Sequence, residues 1–255
     1  MSYRIFTAAL LAVAGTTPAL AQQFNGGSVS GLYKENTDDG SDFGGLSFQG
    51  GIEFGLGTSF AIGANLAAFE YSDFSDDETL NLTLHGMYML SPNSALGLFV
   101  GQDTTDFTDV TTYGVEGGTT SGQGRFEGYY GIAEVDEFSD ADITIAGFVA
   151  EVGFGNGFAV GIEYESVTTD DGILFAGEDE DITVADTALY LQYTISDGPA
   201  IYAEIGQISA FFSSNDTDFR LDDEREYFGI GAKYAFGRDG GGNIFGDRTR
   251  AGFGG

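Results

Sequence analysis

The sequence predicts an all-β fold, a closed antiparallel transmembrane β-barrel of about twelve strands, on three observations. Apolar and polar residues alternate with a period of two along many segments, which is typical of strands with two different faces. Tight turns alternate along the chain with long acidic connections, as in barrels that have short turns on one side of a membrane and long loops on the other. The first residues have the pattern of an export signal.

The N-terminal segment favours export. Arg4 supplies a positive charge, residues 5–15 are apolar, and Ala19-Leu20-Ala21 fits a small-x-small cleavage site. The apolar run is shorter than the roughly 20 residues that a membrane-spanning helix needs. Three parts are therefore expected: a signal peptide over residues 1–21, a barrel over residues 22–236, and a Gly/Arg-rich C-terminal extension over residues 237–255.

The composition excludes several classes of function. The formal net charge is −31, so nucleic acid is not an expected partner, because phosphate binding needs clustered basic residues. The chain has no cysteine, which excludes disulfides, thiol chemistry and metal sites with sulfur ligands. Its 41 Gly, 23 Phe and 13 Tyr suit a barrel in which glycine relieves crowding and aromatic residues form girdles at the membrane interfaces.

The alternation is clear in Leu80, Leu82 and Leu84, which are separated by Asn81 and Thr83. After residue 22 no run approaches 18 apolar residues, so no membrane-spanning helix is predicted. A Gly-Thr-Ser-rich centre in the stretch 103–141 leaves ten strands as an alternative. The predicted strands are 28–36, 43–55, 59–71, 79–90, 95–103, 109–116, 125–136, 142–154, 158–168, 182–195, 200–212 and 225–236.

The last predicted strand contains Gly231, Tyr234 and Phe236, a glycine-x-x-aromatic-x-aromatic pattern. Together with the export signal, the alternation and the order of turns, this resembles Gram-negative outer-membrane β-barrels of the porin type over about residues 24–236. The resemblance implies the cell outer membrane, contact with its lipids and lipopolysaccharide, insertion by the barrel-assembly machinery, and a homotrimer. The chain departs from that class in the extension, which follows the terminal aromatic and is expected in the periplasm.

Charged residues opposite the apolar stripe of each strand are predicted to face the lumen, because a charge facing lipid near the midplane costs several kcal/mol. Two interpretations stay open. The interior is either solvated and salt-bridged, or it forms an aqueous pathway that favours cations, since rings of carboxylates select them. The predicted pore-lining residues are Glu53, His85, Arg125, Glu151, Glu163, Glu165, Asp186, Glu204 and Lys233.

No catalytic residue is predicted. His85 is the single histidine, and the chain has no Gly-x-Ser-x-Gly nucleophile motif beside which it would act. A structural histidine in the lumen is therefore the favoured interpretation, with a catalytic one as the alternative.

The C-terminal extension contains Arg238, Arg248 and Arg250 among glycines. It is either a disordered appendage or a segment whose arginines reach into the acidic lumen and obstruct it.

No cofactor is predicted, apart from loosely bound Ca²⁺ or Mg²⁺ at the acidic connections. Oxygen ligands suit these hard cations, but none of the acidic runs has the spacing of a twelve-residue calcium loop, so a solvated exterior is the simpler interpretation. The runs are Asp38-Asp39, Asp76-Asp77-Glu78, Asp170-Asp171, Glu178-Asp179-Glu180-Asp181 and Asp222-Asp223-Glu224.

The preferred function is a porin-like channel for passive diffusion of small hydrophilic solutes, mildly cation-selective and not enzymatic. One alternative is a closed outer-membrane barrel that acts as a structural or surface-adhesion protein through its acidic loops. A second is a barrel enzyme that uses His85. A third is a soluble secreted β-sandwich or β-roll, because alternation alone does not show whether the apolar face meets lipid or a protein core.

Overall fold

The computed structural model describes residues 22–37, 44–71, 78–105, 108–121, 123–135, 142–170, 180–195, 198–214, 218–220, 225–237 and 244–246. Within these ranges the chain forms twelve long strands and one strand of three residues. The strands are β1 (Gln22–Asn36), β2 (Gly44–Leu56), β3 (Phe60–Tyr71), β4 (Glu78–Ser91), β5 (Ser94–Thr104), β6 (Asp109–Ser121), β7 (Gly124–Val135), β8 (Asp142–Gly155), β9 (Phe158–Asp170), β10 (Glu180–Thr194), β11 (Ala200–Ser214), β12 (Asp218–Arg220) and β13 (Arg225–Gly237).

The twelve long strands close into a ring. Each pairs antiparallel with its neighbours in the sequence, and β1 pairs with both β2 and β13, so that Gly31 lies between Phe48 and Ala232. The short β12 pairs with the end of β11, so β13 takes the next place in the wall beside β11. The predicted closed antiparallel barrel of about twelve strands is confirmed.

The ten-strand alternative is wrong, because the Gly-Thr-Ser-rich centre of the stretch 103–141 is strand. Gly118 in β6 pairs with Ala95 on one side and with Glu127 on the other. The first strand also begins earlier than predicted, at Gln22, and has a bulge between Phe24 and Gly26. The rest of the register follows the predicted alternation of inward and outward side chains.

The two ends of the barrel differ. Five tight turns join β2 to β3, β4 to β5, β6 to β7, β8 to β9 and β10 to β11, and we call their side the tight-turn end. In one of them Asn156 and Gly157 have φ angles of 55° and 84°, which suit a two-residue hairpin loop. The opposite side is the long-loop end, and most of its acidic residues lie outside the described ranges.

The outer surface carries large apolar side chains around the ring. Leu98 in the middle of β5 is 66% exposed, and Ile205 on β11 is 60% exposed. Near the tight-turn end, the aromatic rings of Phe60 and Tyr88 meet edge to face, and those of Phe158 and Tyr193 meet at a tilt, in both cases between adjacent strands. An apolar surface of this extent suits hydrocarbon rather than water, and aromatic pairs at its edge suit a membrane interface. No helix in the described ranges is long and apolar enough to cross a membrane.

We predict that Leu98→Arg destabilises the barrel in lipid vesicles by about 2–4 kcal/mol, because it puts a charge at mid-height of the outer surface. Thr104→Arg is the matched control on the same face of β5, at its long-loop end, and should cost about 0–1 kcal/mol. The free energy of unfolding from urea titrations measures both. Equal effects at the two positions would contradict a membrane around mid-height.

Candidate functional site

A cavity of 1310 Å³ lies inside the barrel. Its lining includes Thr58 and Asn93, in turns at the tight-turn end, and Lys34, which is two residues before the other end of β1. The cavity therefore extends along the wall from the tight-turn end towards the long-loop end. The lumen is the candidate functional site.

Eight of the nine residues predicted to face the pore line this cavity, and His85 does not. Each of the eight belongs to the inward-facing set of its strand. The alternation of inward and outward side chains along the strands therefore brings all eight to the cavity. The eight are Glu53, Arg125, Glu151, Glu163, Glu165, Asp186, Glu204 and Lys233.

The described cavity wall has an excess of negative charge. It contains seven carboxylates and three cationic side chains, a formal excess of four negative charges. Two of these ten groups, Lys34 and Glu127, are absent from the predicted set. Glu127 lies two residues after Arg125 and therefore faces inward like it, and Lys34 has the same inward parity as Ser28 and Ser30. The alternation of polar and apolar residues was thus enough to predict that both side chains face the lumen.

Lys34 sits within a cluster of acceptors. Lys34 Nζ lies 3.5 Å from the carboxylates of both Asp186 and Glu204, and it donates a hydrogen bond to the Tyr227 hydroxyl at 3.1 Å. This cluster connects β1, β10, β11 and β13, on both sides of the seam that closes the ring. It therefore neutralises part of the charge of the wall and also ties the closing strands together.

In four places an inward tyrosine lies over a glycine that is directly opposite on the neighbouring strand. A Cβ atom built on any of these glycines would collide with the tyrosine ring. Glycine is thus required because the tyrosine ring comes so close to its backbone. The ring in turn covers the backbone that the missing side chain leaves exposed. The pairs are Tyr129 over Gly147, Tyr190 over Gly161, Tyr202 over Gly231, and Tyr227 over Gly206.

Three of these tyrosines also orient a carboxylate. Each hydroxyl donates to an acidic side chain on the strand beyond the glycine, so one tyrosine spans three strands. An ionised carboxylate is a strong acceptor, and these hydrogen bonds fix its position against the wall. The donor and acceptor pairs are Tyr129 to Glu165 at 2.5 Å, Tyr190 to Glu151 at 3.0 Å, and Tyr227 to Asp186 at 2.8 Å.

Another part of the lumen is filled rather than open. Phe99 and Ile145 belong to an apolar cluster inside the barrel. Nearby strands bury a polar network in which Asn81 donates to Asp103 at 2.6 Å and Thr83 donates to Asn81 at 2.9 Å. The lumen is therefore filled towards the long-loop end of β4, β5 and β8, whereas the strands that line the open cavity include β1 and β2.

Part of the C-terminal extension lies within the barrel. Phe245 is 1% exposed and packs with Ala61, Met87 and Ala95 from β3, β4 and β5. Ile244 is buried beside it. The expectation that the extension lies outside the barrel, in the periplasm, is therefore wrong for the segment 244–246. The predicted obstruction by Arg238, Arg248 and Arg250 concerns residues outside the described ranges.

His85 faces inward but is 4% exposed and covered by this segment. Its Nδ1 atom lies 2.8 Å from Glu116 Oε1, and its Nε2 atom lies 2.8 Å from Asn65 Nδ2. Since a carboxylate only accepts, Nδ1 donates to Glu116 and Nε2 accepts from Asn65. The imidazole ring also stacks on Phe245, with ring centres 5.9 Å apart.

No protein-family model matches the chain, and no curated protein matches it in sequence. Solved structures do match along most of its length. The NanC porin is 10% identical with a TM-score of 0.55, covering 82% of this chain and 98% of that chain. The KdgM porin, solved in complex with disordered oligogalacturonate, is 10% identical with a TM-score of 0.53, covering 82% and 99%. The COG4313 outer-membrane channel from Pseudomonas putida F1 is 12% identical with a TM-score of 0.51, covering 86% and 98%.

The chain has the fold of a porin-type outer-membrane barrel. At these identities the likeness concerns the fold. Within the described ranges, no group of three or more His, Asp or Glu side chains is arranged to hold a metal ion. Loose Ca²⁺ or Mg²⁺ binding by the acidic runs stays a prediction, since most of those residues lie outside the described part of the chain.

We predict that Gly161→Ala destabilises the barrel by about 1–3 kcal/mol, the usual cost of overpacking, because the new methyl group meets the Tyr190 ring. The control is Gly86→Ala in β4, where a Cβ would meet no atom within 4 Å. Unfolding in urea, followed by heat-modifiable gel migration, compares the two. If Gly86→Ala lowered the free energy of unfolding as much as Gly161→Ala does, the result would contradict the proposed contact with the Tyr190 ring.

Proposed function

We propose that this chain is a channel for passive diffusion of small hydrophilic solutes across the outer membrane, with a preference for cations. The observation that supports this proposal most directly is the cavity wall with seven carboxylates and three basic side chains. A negatively lined aqueous passage with low-dielectric walls concentrates cations and repels anions. Selection would depend on charge and width, without a chemical step.

The orientation of the carboxylates supports a selective wall rather than a merely solvated one. Tyr129, Tyr190 and Tyr227 each hold an acidic group against the barrel wall, so these charges keep fixed positions beside the open space. Charges that are already fixed can act on a passing ion without the free-energy cost of first rearranging the side chains that carry them. The described ion pairs of Lys34 and Arg125 compensate only part of the acidic set.

One observation favours the alternative of a closed barrel. The cluster around Phe99 and the buried segment at Phe245 both occupy the interior. A barrel closed in this way would act through its surface, as a structural or adhesion protein. Conductance separates the two functions, because a closed barrel carries no current.

We propose a structural role for His85, since its described neighbours are an amide, a carboxylate and a phenyl ring. We also propose, from the fold, that the chain resides in the outer membrane, contacts lipopolysaccharide and is inserted by the barrel-assembly machinery. A homotrimer stays a prediction from the resemblance. Stacking of Phe236 on Phe24 and on Tyr234 is consistent with a rigid end of the last strand, which that machinery would read.

Planar-bilayer recordings in a KCl gradient test the proposed selectivity. We expect the wild-type reversal potential to indicate preference for K⁺ over Cl⁻. Glu163→Lys should lower the K⁺/Cl⁻ permeability ratio severalfold, because it removes one negative charge from the cavity wall and adds a positive one.

The matched control is Glu35→Lys, which makes the same change of net charge at an exposed position on the outer face of β1. It should leave the permeability ratio within about 20% of the wild-type value, since it is shielded from the lumen by the barrel wall. Equal effects of the two variants, or an anion-selective wild type, would contradict selection by the lumen carboxylates. The absence of any current from folded protein would favour the closed barrel.

A further inference from the structure

We infer that the lumen contains a binding site for the chain's own C-terminal extension, and that Ile244–Phe245–Gly246 bound there is a built-in constriction of the channel. The docking follows from the contacts described below. Its effect on passage rests on the proposed channel function.

Two buried carboxylates hold the backbone of the segment. The N–H of Ile244 donates to Glu53 Oε2 at 3.0 Å, and the N–H of Gly246 donates to Glu127 Oε1 at 2.9 Å. Between them the carbonyl oxygen of Phe245 accepts a hydrogen bond from Asn65 Nδ2 at 3.0 Å. Three consecutive residues are therefore fixed by three hydrogen bonds, two of them to charged acceptors, which are the stronger kind.

The same carboxylates are oriented by the barrel itself. The second oxygen of Glu53 accepts from Asn25 Nδ2 at 2.7 Å, and the second oxygen of Glu127 accepts from Arg125 Nη2 at 2.7 Å. Glu53 and Glu127 are only 3% and 2% exposed. Because burying a carboxylate is costly unless it is hydrogen-bonded, the amides of the segment contribute to the stability of both.

The pocket for the Phe245 ring is formed partly by absent side chains. A Cβ on Gly97 would lie 2.7 Å from Glu116 Oε1 and 3.1 Å from the Phe245 ring. A Cβ on Gly118 would lie 3.0 Å from both the ring and the Ile244 side chain. On the neighbouring strand β4, His85 stacks on the ring and Met87 packs against it. Gly118 therefore makes room for the segment, and Gly97 makes room for both the segment and the Glu116 side chain.

The segment crosses the lumen. Glu53 is on β2 and Glu127 is on β7, five strands apart in a ring of twelve long strands, so they belong to nearly opposite walls. The contacts lie within about five residues of the tight turns. Gly237, at the end of β13, has a φ angle of 121°, which favours glycine. A Cβ atom at this position would also overlap the backbone of Gly26. The segment therefore narrows the lumen near the tight-turn end.

Engineered cysteines test the docking independently of conductance, since the chain has no native cysteine. A Cβ on Gly118 would lie 3.0 Å from Ile244 Cγ2, so the two Cβ atoms fall within about 4.5 Å, a distance that a disulfide spans. We expect the double variant G118C/I244C to form a disulfide under mild oxidation, seen as loss of thiol labelling and as a linked peptide in mass spectrometry.

The control is G117C/I244C. Gly117 is adjacent in β6 but faces outward, where its Cβ would contact Leu96. This pair should keep both thiols. Heat-modifiable migration shows that each variant is folded. Absence of a disulfide in folded G118C/I244C, or equal cross-linking of the two pairs, would overturn the docking.

Single-channel recordings then test the constriction. Phe245→Gly should raise the conductance about twofold or more, because it removes the ring that occupies the lumen. Phe253→Gly makes the same change elsewhere in the extension and should leave conductance at the wild-type level. If the disulfide forms but Phe245→Gly and the wild type have equal conductance, the segment docks without constricting the channel. The inferred constriction is then wrong, although the docking is not.

If no variant carries current, the proposed channel function fails and the constriction fails with it, whereas the disulfide still decides the docking. If the wild type is silent and Phe245→Gly conducts, the segment is a complete plug, which supports the inference in its strongest form.

Discussion

The structure depends on one constraint, which is that a strand in hydrocarbon must pair all of its backbone N–H and C=O groups with other strands. Pairing of β1 with β13, over eleven residue pairs from Gly26 to Asn36, removes the last open edge. Once the ring is closed, each strand has one face towards lipid and one towards the lumen. The inward position of the charged side chains that line the cavity follows from that division.

The lumen imposes a second constraint, because carboxylates confined in a narrow space need hydrogen-bond donors. The protein supplies them in two ways. On the side of β7 to β13, tyrosine hydroxyls reach across glycines to acidic groups on the second strand along. On the side of β2 to β7, backbone amides of the segment 244–246 donate to Glu53 and Glu127. Both sets of carboxylates border the open cavity, and in the second arrangement the donor segment also occupies part of the lumen.

Much of the fold could be predicted from local pattern, because the alternation in a strand is set by the residues of that strand alone. The segment 79–90 shows this, since Asn81, Thr83 and His85 face inward as their spacing requires. The tyrosine and glycine pairs could not be predicted, because each depends on the register between two strands. The position of Phe245 depends on six strands at once, from β2 to β7, and no local pattern indicates it. Local pattern instead suggested a loop at Gly118, whose missing side chain is explained by the segment that packs against it.

The central claim is that hydrocarbon surrounds the barrel and water enters its lumen. Single cysteines carrying an environment-sensitive fluorophore test it at Leu82, Ile162 and Leu191 on the outward face, and at Ser30, Glu163 and Gln192 on the inward face. We predict that brominated lipid quenches the first set and aqueous iodide quenches the second. Quenching of both sets by iodide alone, or protection of the outward set from brominated lipid, would contradict it.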